Sequence, residues 1–85
     1  METLLNNYDV YTYKQRENIR YIIKSTVVYV EEKDNVSIIR LKDSARLFYN
    51  FTLCNVDIND KVELTYKLIV EDQRLKAYAT DFKKL

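Results

Sequence analysis

The chain has 85 residues, 47% hydrophobic and 32% charged, which suits one folded domain and leaves no length for a second core. Its formal net charge of +1 excludes a strong overall field for polyanions, so any affinity for nucleic acid must come from a local patch. No histidine and no glycine occur, which excludes His-based nucleophile pairs and Gly-rich phosphate loops, and we expect a non-enzymatic protein without metal or cofactor.

The apolar side chains are mostly of the types that favour strands. Eight Tyr, eight Val and seven Ile stand against one Met and no Trp, and β-branched and aromatic side chains pack well on a pleated surface. Without Gly or Pro, every turn must use residues such as Asn and Asp that tolerate left-handed backbone. The sequence predicts such turns at 33–35, 59–60 and 71–73.

Residues 1–18 form an N-terminal arm for which two structures are open. Leu4 and Leu5 fit the start of a short helix, whereas the apolar spacing after them fits a short added strand. We expect three tyrosines of this arm to contact the sheet or a partner chain more readily than bases: Tyr8, Tyr11 and Tyr13. Residues 14–18 are polar and fit a hinge before the main domain, which we place at 19–85.

The first strand of the domain, over 19–30, carries apolar residues on both of its faces. A long strand whose buried face changes midway is typical of the first strand of a small barrel. We predict the bend at Ser25 and Thr26.

Two strands follow, at Val36–Leu41 and at 47–53, separated by a short polar loop. In the second of them, alternation puts Leu47 and Tyr49 on the inner face together with Phe51 and Leu53. Phe48 is then left as an apolar residue on the outer side.

The fourth strand has the cleanest alternation of the chain and runs from Val62 to Glu71. Its inner residues are Val62, Leu64, Tyr66, Leu68 and Val70. After a turn, the fifth strand sets Leu75, Ala77 and Ala79 against an outer face of Lys76, Tyr78, Thr80 and Phe82. A three-stranded meander followed by a hairpin predicts an all-β, five-stranded Greek-key barrel of the oligonucleotide/oligosaccharide-binding (OB) kind.

Cys54 is the only cysteine, so the chain has neither an internal disulfide nor a Cys/His zinc site. A single thiol fits a reducing compartment. The first seven residues lack the features of a secretory signal, and no apolar run reaches the length of a membrane span. We expect an intracellular, cytoplasmic protein without a membrane partner.

The segment 47–51, L-F-Y-N-F, resembles the second ribonucleoprotein motif of cold-shock domains, which is approximately V-F-V-H-F. Phe48 and Phe51 match that motif, and Asn50 stands where the family has His. The segment 33–38 falls on the family's first motif, K-G-F-G-F-I, with Asn35 and Ser37 at the two ring positions. The closing hairpin from Asn59 resembles the family's G-D-x-V-E-F segment, and 79–85 matches its final strand loosely.

This resemblance covers 19–85 and implies that single-stranded bases stack on exposed rings while basic side chains contact phosphates. The candidates for these roles are Tyr29, on the outer side of the first strand near the expected platform, and Phe48 as rings, Lys33 and Arg40 as phosphate contacts, and Asn50 at a base edge. Stacking contributes about 1–3 kcal/mol per base, so polar residues at 35 and 37 would remove about 2–6 kcal/mol of binding.

Each implied residue also has a purely structural interpretation. Phe48 and Tyr29 fit core packing, Lys33 and Arg40 fit ordinary solvated charges, and Asn50 fits a cross-strand hydrogen bond. Two functions follow. The first is binding of single-stranded nucleic acid, RNA in preference to DNA. The alternative is a non-catalytic protein-interaction module that has lost the base platform and binds another protein, or itself, through a strand edge or the arm.

Overall fold

The computed structural model describes residues 4–50 and 56–85, with Asn50 described by its backbone only. One helix and five strands follow in chain order: α1 (Asn7–Lys14), β1 (Tyr21–Lys33), β2 (Val36–Leu41), β3 (Leu47–Asn50), β4 (Lys61–Glu71) and β5 (Arg74–Lys84). The predictions for Phe51, Leu53 and Cys54 lie outside the described residues. In the part of the chain that is described, no helix is long and apolar enough to cross a membrane.

The strands form a closed barrel in the order β1-β2-β3-β5-β4. All neighbouring strands are antiparallel except β3 and β5, which are parallel. This architecture confirms the predicted all-β, five-stranded barrel of the OB kind.

Strand β1 closes the barrel because its two halves have different partners. Residues 21–26 pair with β4, and the rest of the strand pairs with β2. The register moves from Val27 opposite Leu41 to Tyr29 opposite Arg40, so Val28 is an extra residue in a β-bulge. The buried face changes at Val28, and not at Ser25–Thr26 as the sequence predicted. The Val27 backbone hydrogen-bonds with Asn59 and Asp60 just before β4, so β1 keeps its first face up to Val27 and changes partner only after it.

The β2–β3 register reverses the predicted faces of β3. Ile39 pairs with Phe48, and Arg40 pairs with Leu47. Because paired residues share a face, Phe48 joins buried Ile39 in the core and is 0% exposed, and its ring centroid lies 5.0 Å from that of Tyr66 at an interplanar angle of 68°. The prediction that Phe48 lies outside was therefore wrong, as was the inner placement of Leu47 and Tyr49. Ser37, at a ring position of the resemblance, is also buried.

The β4–β5 hairpin follows the predicted alternation until a second bulge. Val62, Leu64 and Leu68 are buried in the core. The register passes from Tyr66 opposite Ala79 to Thr65 opposite Asp81, which leaves Thr80 unpaired in the ladder and turns Phe82 toward the core. The outer placement predicted for Phe82 was wrong, because alternation alone does not locate a bulge.

The turns have the chemistry expected of a chain without glycine. Asp34 and Asn35 have φ of 52° and 64°, and Asp72 and Gln73 have φ of 51° and 60°. Two consecutive left-handed residues between paired strands make tight hairpin turns that match the twist of the sheet. Asn59, with φ of 79°, is left-handed as well. These positions confirm the predicted turns.

The arm forms a helix and not an added strand. The Asn6 side chain caps α1 by accepting a 2.8 Å hydrogen bond from the Asp9 amide. The Leu5 amide donates to the Gln73 carbonyl at 2.7 Å, which ties the arm to the β4–β5 turn. Tyr13 packs against the core, and the helix lies against β4.

Candidate functional site

The outer surface of β1, β2, β3 and β5 carries tyrosines and cations in two rows. One row runs from Tyr29 through Arg40 to Leu47. The other runs from Glu31 through Ile38 and Tyr49 to Tyr78. We call this surface the ring face and define it by these residues and Lys76. Neighbouring strands lie about 4.8 Å apart, so the face is roughly 14 Å wide from β1 to β5.

Tyr49 and Tyr78 form an aromatic pair at one side of the ring face. Their ring centroids are 5.9 Å apart at an interplanar angle of 40°. Lys76 Nζ lies 5.8 Å from the Tyr49 ring centroid, a cation–π distance. Glu71 holds both Tyr78 and Lys76 in place against Tyr49. Its carboxylate accepts a 2.7 Å hydrogen bond from the Tyr78 hydroxyl and forms a 3.3 Å ion pair with Lys76.

These contacts set the protonation states of Tyr78 and Glu71. Burial, and then the hydrogen bond and charge of Glu71, raise the pKa of Tyr78 to about 12. The hydrogen bond from Tyr78, aided by Lys76, holds the pKa of the Glu71 carboxyl below its ordinary value. At neutral pH the phenol is thus a neutral donor and the carboxylate a charged acceptor.

Tyr29 stands at the opposite side of the face, on β1, and its side chain is accessible. The residue is 41% exposed, and its hydroxyl donates a 2.7 Å hydrogen bond to the Glu31 carboxylate. That hydrogen bond raises the pKa of Tyr29. The ring is therefore oriented along the strand by its polar end.

The exposed cation at the centre of the face is Arg40, between Tyr29 and Leu47. Among residues 4–50 and 56–85, the ion pairs are Lys24–Glu63, Lys76–Glu71 and Lys84–Asp60. Neither Arg40 nor Lys33, at the end of β1, belongs to an ion pair within those ranges, so both charges are available to an anion. Glu31 and Glu71 offset part of this positive charge.

A groove of about 710 Å³ opens beside the ring face, between the loop of residues 43–46 with the start of β3 and the start of β5. Its walls include Arg46, Leu47 and Tyr49 on one side and Leu75 and Lys76 on the other. The loop is anchored by Asp43, whose carboxylate accepts a 2.8 Å hydrogen bond from the Ser25 hydroxyl. Leu47 and Tyr49 belong to both the groove and the ring face.

The structure brings together only part of the predicted site. Tyr29 and Arg40 are cross-strand partners on the outer face, and Lys33 ends the same strand. Phe48 is removed from the site because it fills the core. The side chain of Asn50 lies outside the described part of the structure, and so does its predicted contact with a base.

The arm tyrosines separate into two kinds. Tyr8 and Tyr11 are 76% and 64% exposed on α1, whereas Tyr13 packs against the protein's own core. Only the first two therefore remain accessible to a partner chain.

Sequence reasoning missed Tyr49, Tyr78 and Lys76 as site residues. A usable signal existed for β5, where Tyr78 alternates outward beside Lys76. For Tyr49 the signal lay in the neighbouring strand, because buried Ile39 and Leu41 force Ile38 and Arg40, and hence their partners on β3, to the outside.

No family model matches the chain, and no curated protein sequence matches it. Among the described residues, no group of three or more His, Cys, Asp or Glu side chains is placed to hold a metal ion.

Proposed function

We propose that this chain binds single-stranded nucleic acid on the ring face. Bases stack on Tyr29 and Tyr49, and two cations contact the phosphates: Arg40 opposite Tyr29, and Lys33 four residues further along β1. The observation that carries the proposal is the placement of exposed Tyr29 and half-buried Tyr49 on the strands that flank Arg40, which are strands that OB barrels use for oligonucleotides.

The chemistry of the face implies a binder of moderate strength. Stacking is worth about 1–3 kcal/mol per base, so two rings supply about 2–6 kcal/mol. A micromolar complex requires roughly 8 kcal/mol, so phosphate contacts must contribute the remainder. Each such contact adds about −0.7 to the slope of log K against log salt for a single strand, and Arg40 and Lys33 together predict a slope near −1.4.

RNA is proposed in preference to DNA because acceptors lie beside the rings. The Glu31 carboxylate is next to Tyr29, and the 2′-hydroxyl of RNA is a donor that DNA lacks. A deoxyribose strand presents no such partner to a carboxylate on the face.

The test is a fluorescence anisotropy titration with labelled oligo-U and oligo-dT of eight nucleotides at low salt. Tyr29→Ala and Tyr49→Ala should each weaken binding about 5- to 150-fold, the equivalent of one stacked base. Tyr8→Ala is the matched control, because it removes an exposed tyrosine that lies on α1 and not on the ring face. Absence of saturable binding at low salt would refute the proposal.

A second candidate function is a protein-interaction module that uses the arm. It is favoured by the exposure of Tyr8 and Tyr11 on one short helix and by the near-zero net charge. Light scattering of the wild type and of the Tyr8→Ala/Tyr11→Ala double variant tests self-association. A monomer at all concentrations, with no partner captured in a pull-down, would argue against this second function.

A further inference from the structure

The groove beside the ring face combines apolar walls with an accessible cation. Leu47, Tyr49 and Leu75 line it, with Leu75 also packing against the core, and Arg46 stands on the loop wall together with Asp43, whose carboxylate is hydrogen-bonded to Ser25. Arg46 is exposed, and its guanidinium is in no ion pair with another described residue. A volume of about 710 Å³ lies within the range of roughly 300–1,000 Å³ that is usual for small-ligand sites.

A flat apolar group joined to an anion fits these walls. The leucines offer aliphatic surface, the Tyr49 ring offers an aromatic edge or face, and Arg46 offers planar donors that suit phosphate oxygens. A nucleotide has both parts, a base and a phosphate. A purely apolar ligand would leave the guanidinium unused, and a simple anion would leave the leucines unused.

The groove is continuous with the ring face. The row from Tyr29 through Arg40 ends at Leu47, which is itself a groove residue. The Tyr29 and Leu47 backbones lie two strands apart, roughly 10 Å by the usual strand spacing. A single-stranded nucleic acid bound along this row therefore reaches the groove at Leu47.

We infer that the groove takes one further nucleotide of the same bound strand, with its base between Leu47 and Leu75 and its phosphate at Arg46. This inference rests on the proposed function and extends it by a subsite. Because the ring face holds the rest of the strand, the groove nucleotide is supplied at a high effective concentration. Filling of the groove therefore depends on the length of the oligonucleotide.

The experiment is an NMR titration of the whole chain, labelled with ¹⁵N, with oligo-U of three and of eight nucleotides. The trimer should shift the amides of Tyr29 and Arg40, and the octamer should also shift those of Ala45, Arg46 and Leu75. If the octamer saturates the ring face and leaves the groove amides unmoved, the subsite is refuted while the proposed function stands. If no amide moves with either oligonucleotide, both are refuted.

Arg46→Ala gives an independent measurement. It should weaken octamer binding about two- to fivefold, the effect of losing one exposed charge contact, and reduce the salt slope by about 0.7, with trimer binding unchanged. Arg16→Ala is the matched control, because it lowers the net charge equally and lies in the turn after α1. An equal loss in both variants would overturn the subsite in favour of a general charge effect.

Uridine monophosphate separates a subsite of the strand from a pocket for free nucleotides. It should leave the groove amides unshifted at concentrations where the octamer saturates them, because it is not tethered to the ring face. Filling of the groove by the free nucleotide as tightly as by the octamer would overturn the inference.

Discussion

Replacing Phe48 by alanine tests the inner face of the barrel directly. Phe48 is 0% exposed, pairs in register with Ile39, and contacts the Tyr66 ring edge-on. Truncation of a buried Phe to Ala costs about 3–5 kcal/mol, because apolar contacts are lost and a cavity remains. A chain of this length has a free energy of unfolding of roughly 4–13 kcal/mol at about 0.05–0.15 kcal/mol per residue. Phe48→Ala should therefore remove about a fifth of the stability or more, and all of it if the wild type is marginal.

Urea unfolding followed by circular dichroism measures this loss. With a slope near 2 kcal/mol per molar urea, the midpoint should fall by about 1.5–2.5 M. Phe48→Leu should lose less than half as much, since it leaves a smaller cavity. Leu47→Ala, at the next position and 40% exposed, should be clearly milder than Phe48→Ala.

The opposite ranking would refute the reasoning. If Phe48→Ala unfolds at the wild-type urea concentration while Leu47→Ala is severe, the register of β3 is shifted by one residue. Phe48 would then face outward, as alternation along the chain alone predicts.

Three further outcomes follow from local contacts. The folded-state pKa of Tyr78 is raised to about 12, so the neutral phenol should contribute its full share to the free energy of unfolding below its ordinary pKa of 10.0 and lose it as pH rises through about 12. Glu71→Gln should bring that pKa back toward 10.0, as measured from the Tyr78 ring resonances in an NMR titration. Asn6→Ala should cost about 1 kcal/mol in urea unfolding through loss of the helix cap, whereas Asn6→Asp, which keeps a cap acceptor, should cost little. Gln73→Gly should stabilise by about 1 kcal/mol in the same assay, because the residue is left-handed, whereas Gln15→Gly, at a right-handed position, should not stabilise.

Most of the barrel is predictable from local pattern. The inner residues of β4 show strict alternation, and the absence of glycine restricts the tight turns to Asp, Asn and similar residues. Strand number, the two tight-turn hairpins β1–β2 and β4–β5, and the barrel class follow from these signals, because strand periodicity and turn chemistry act over a few residues.

The candidate site is less predictable. Residues 47–49 are all apolar, so alternation contains no polar face that would tell inside from outside. The side that faces the core is fixed by Ile39 across the sheet, and this contact moved Phe48 inward and Tyr49 outward. Tyr29 and Arg40 were predicted from the cold-shock resemblance, and the structure places both on the outer face as cross-strand partners.

Composition and local pattern are enough to indicate a small strand-rich domain with tight hairpin turns, no histidine and little net charge. Tertiary structure alone decided which side chains share a surface. The bulges at Val28 and Thr80 and the parallel pairing of β3 with β5 depend on contacts between residues far apart in the chain. The bulges decide which face of the strand each later side chain occupies, because one inserted residue exchanges the two faces.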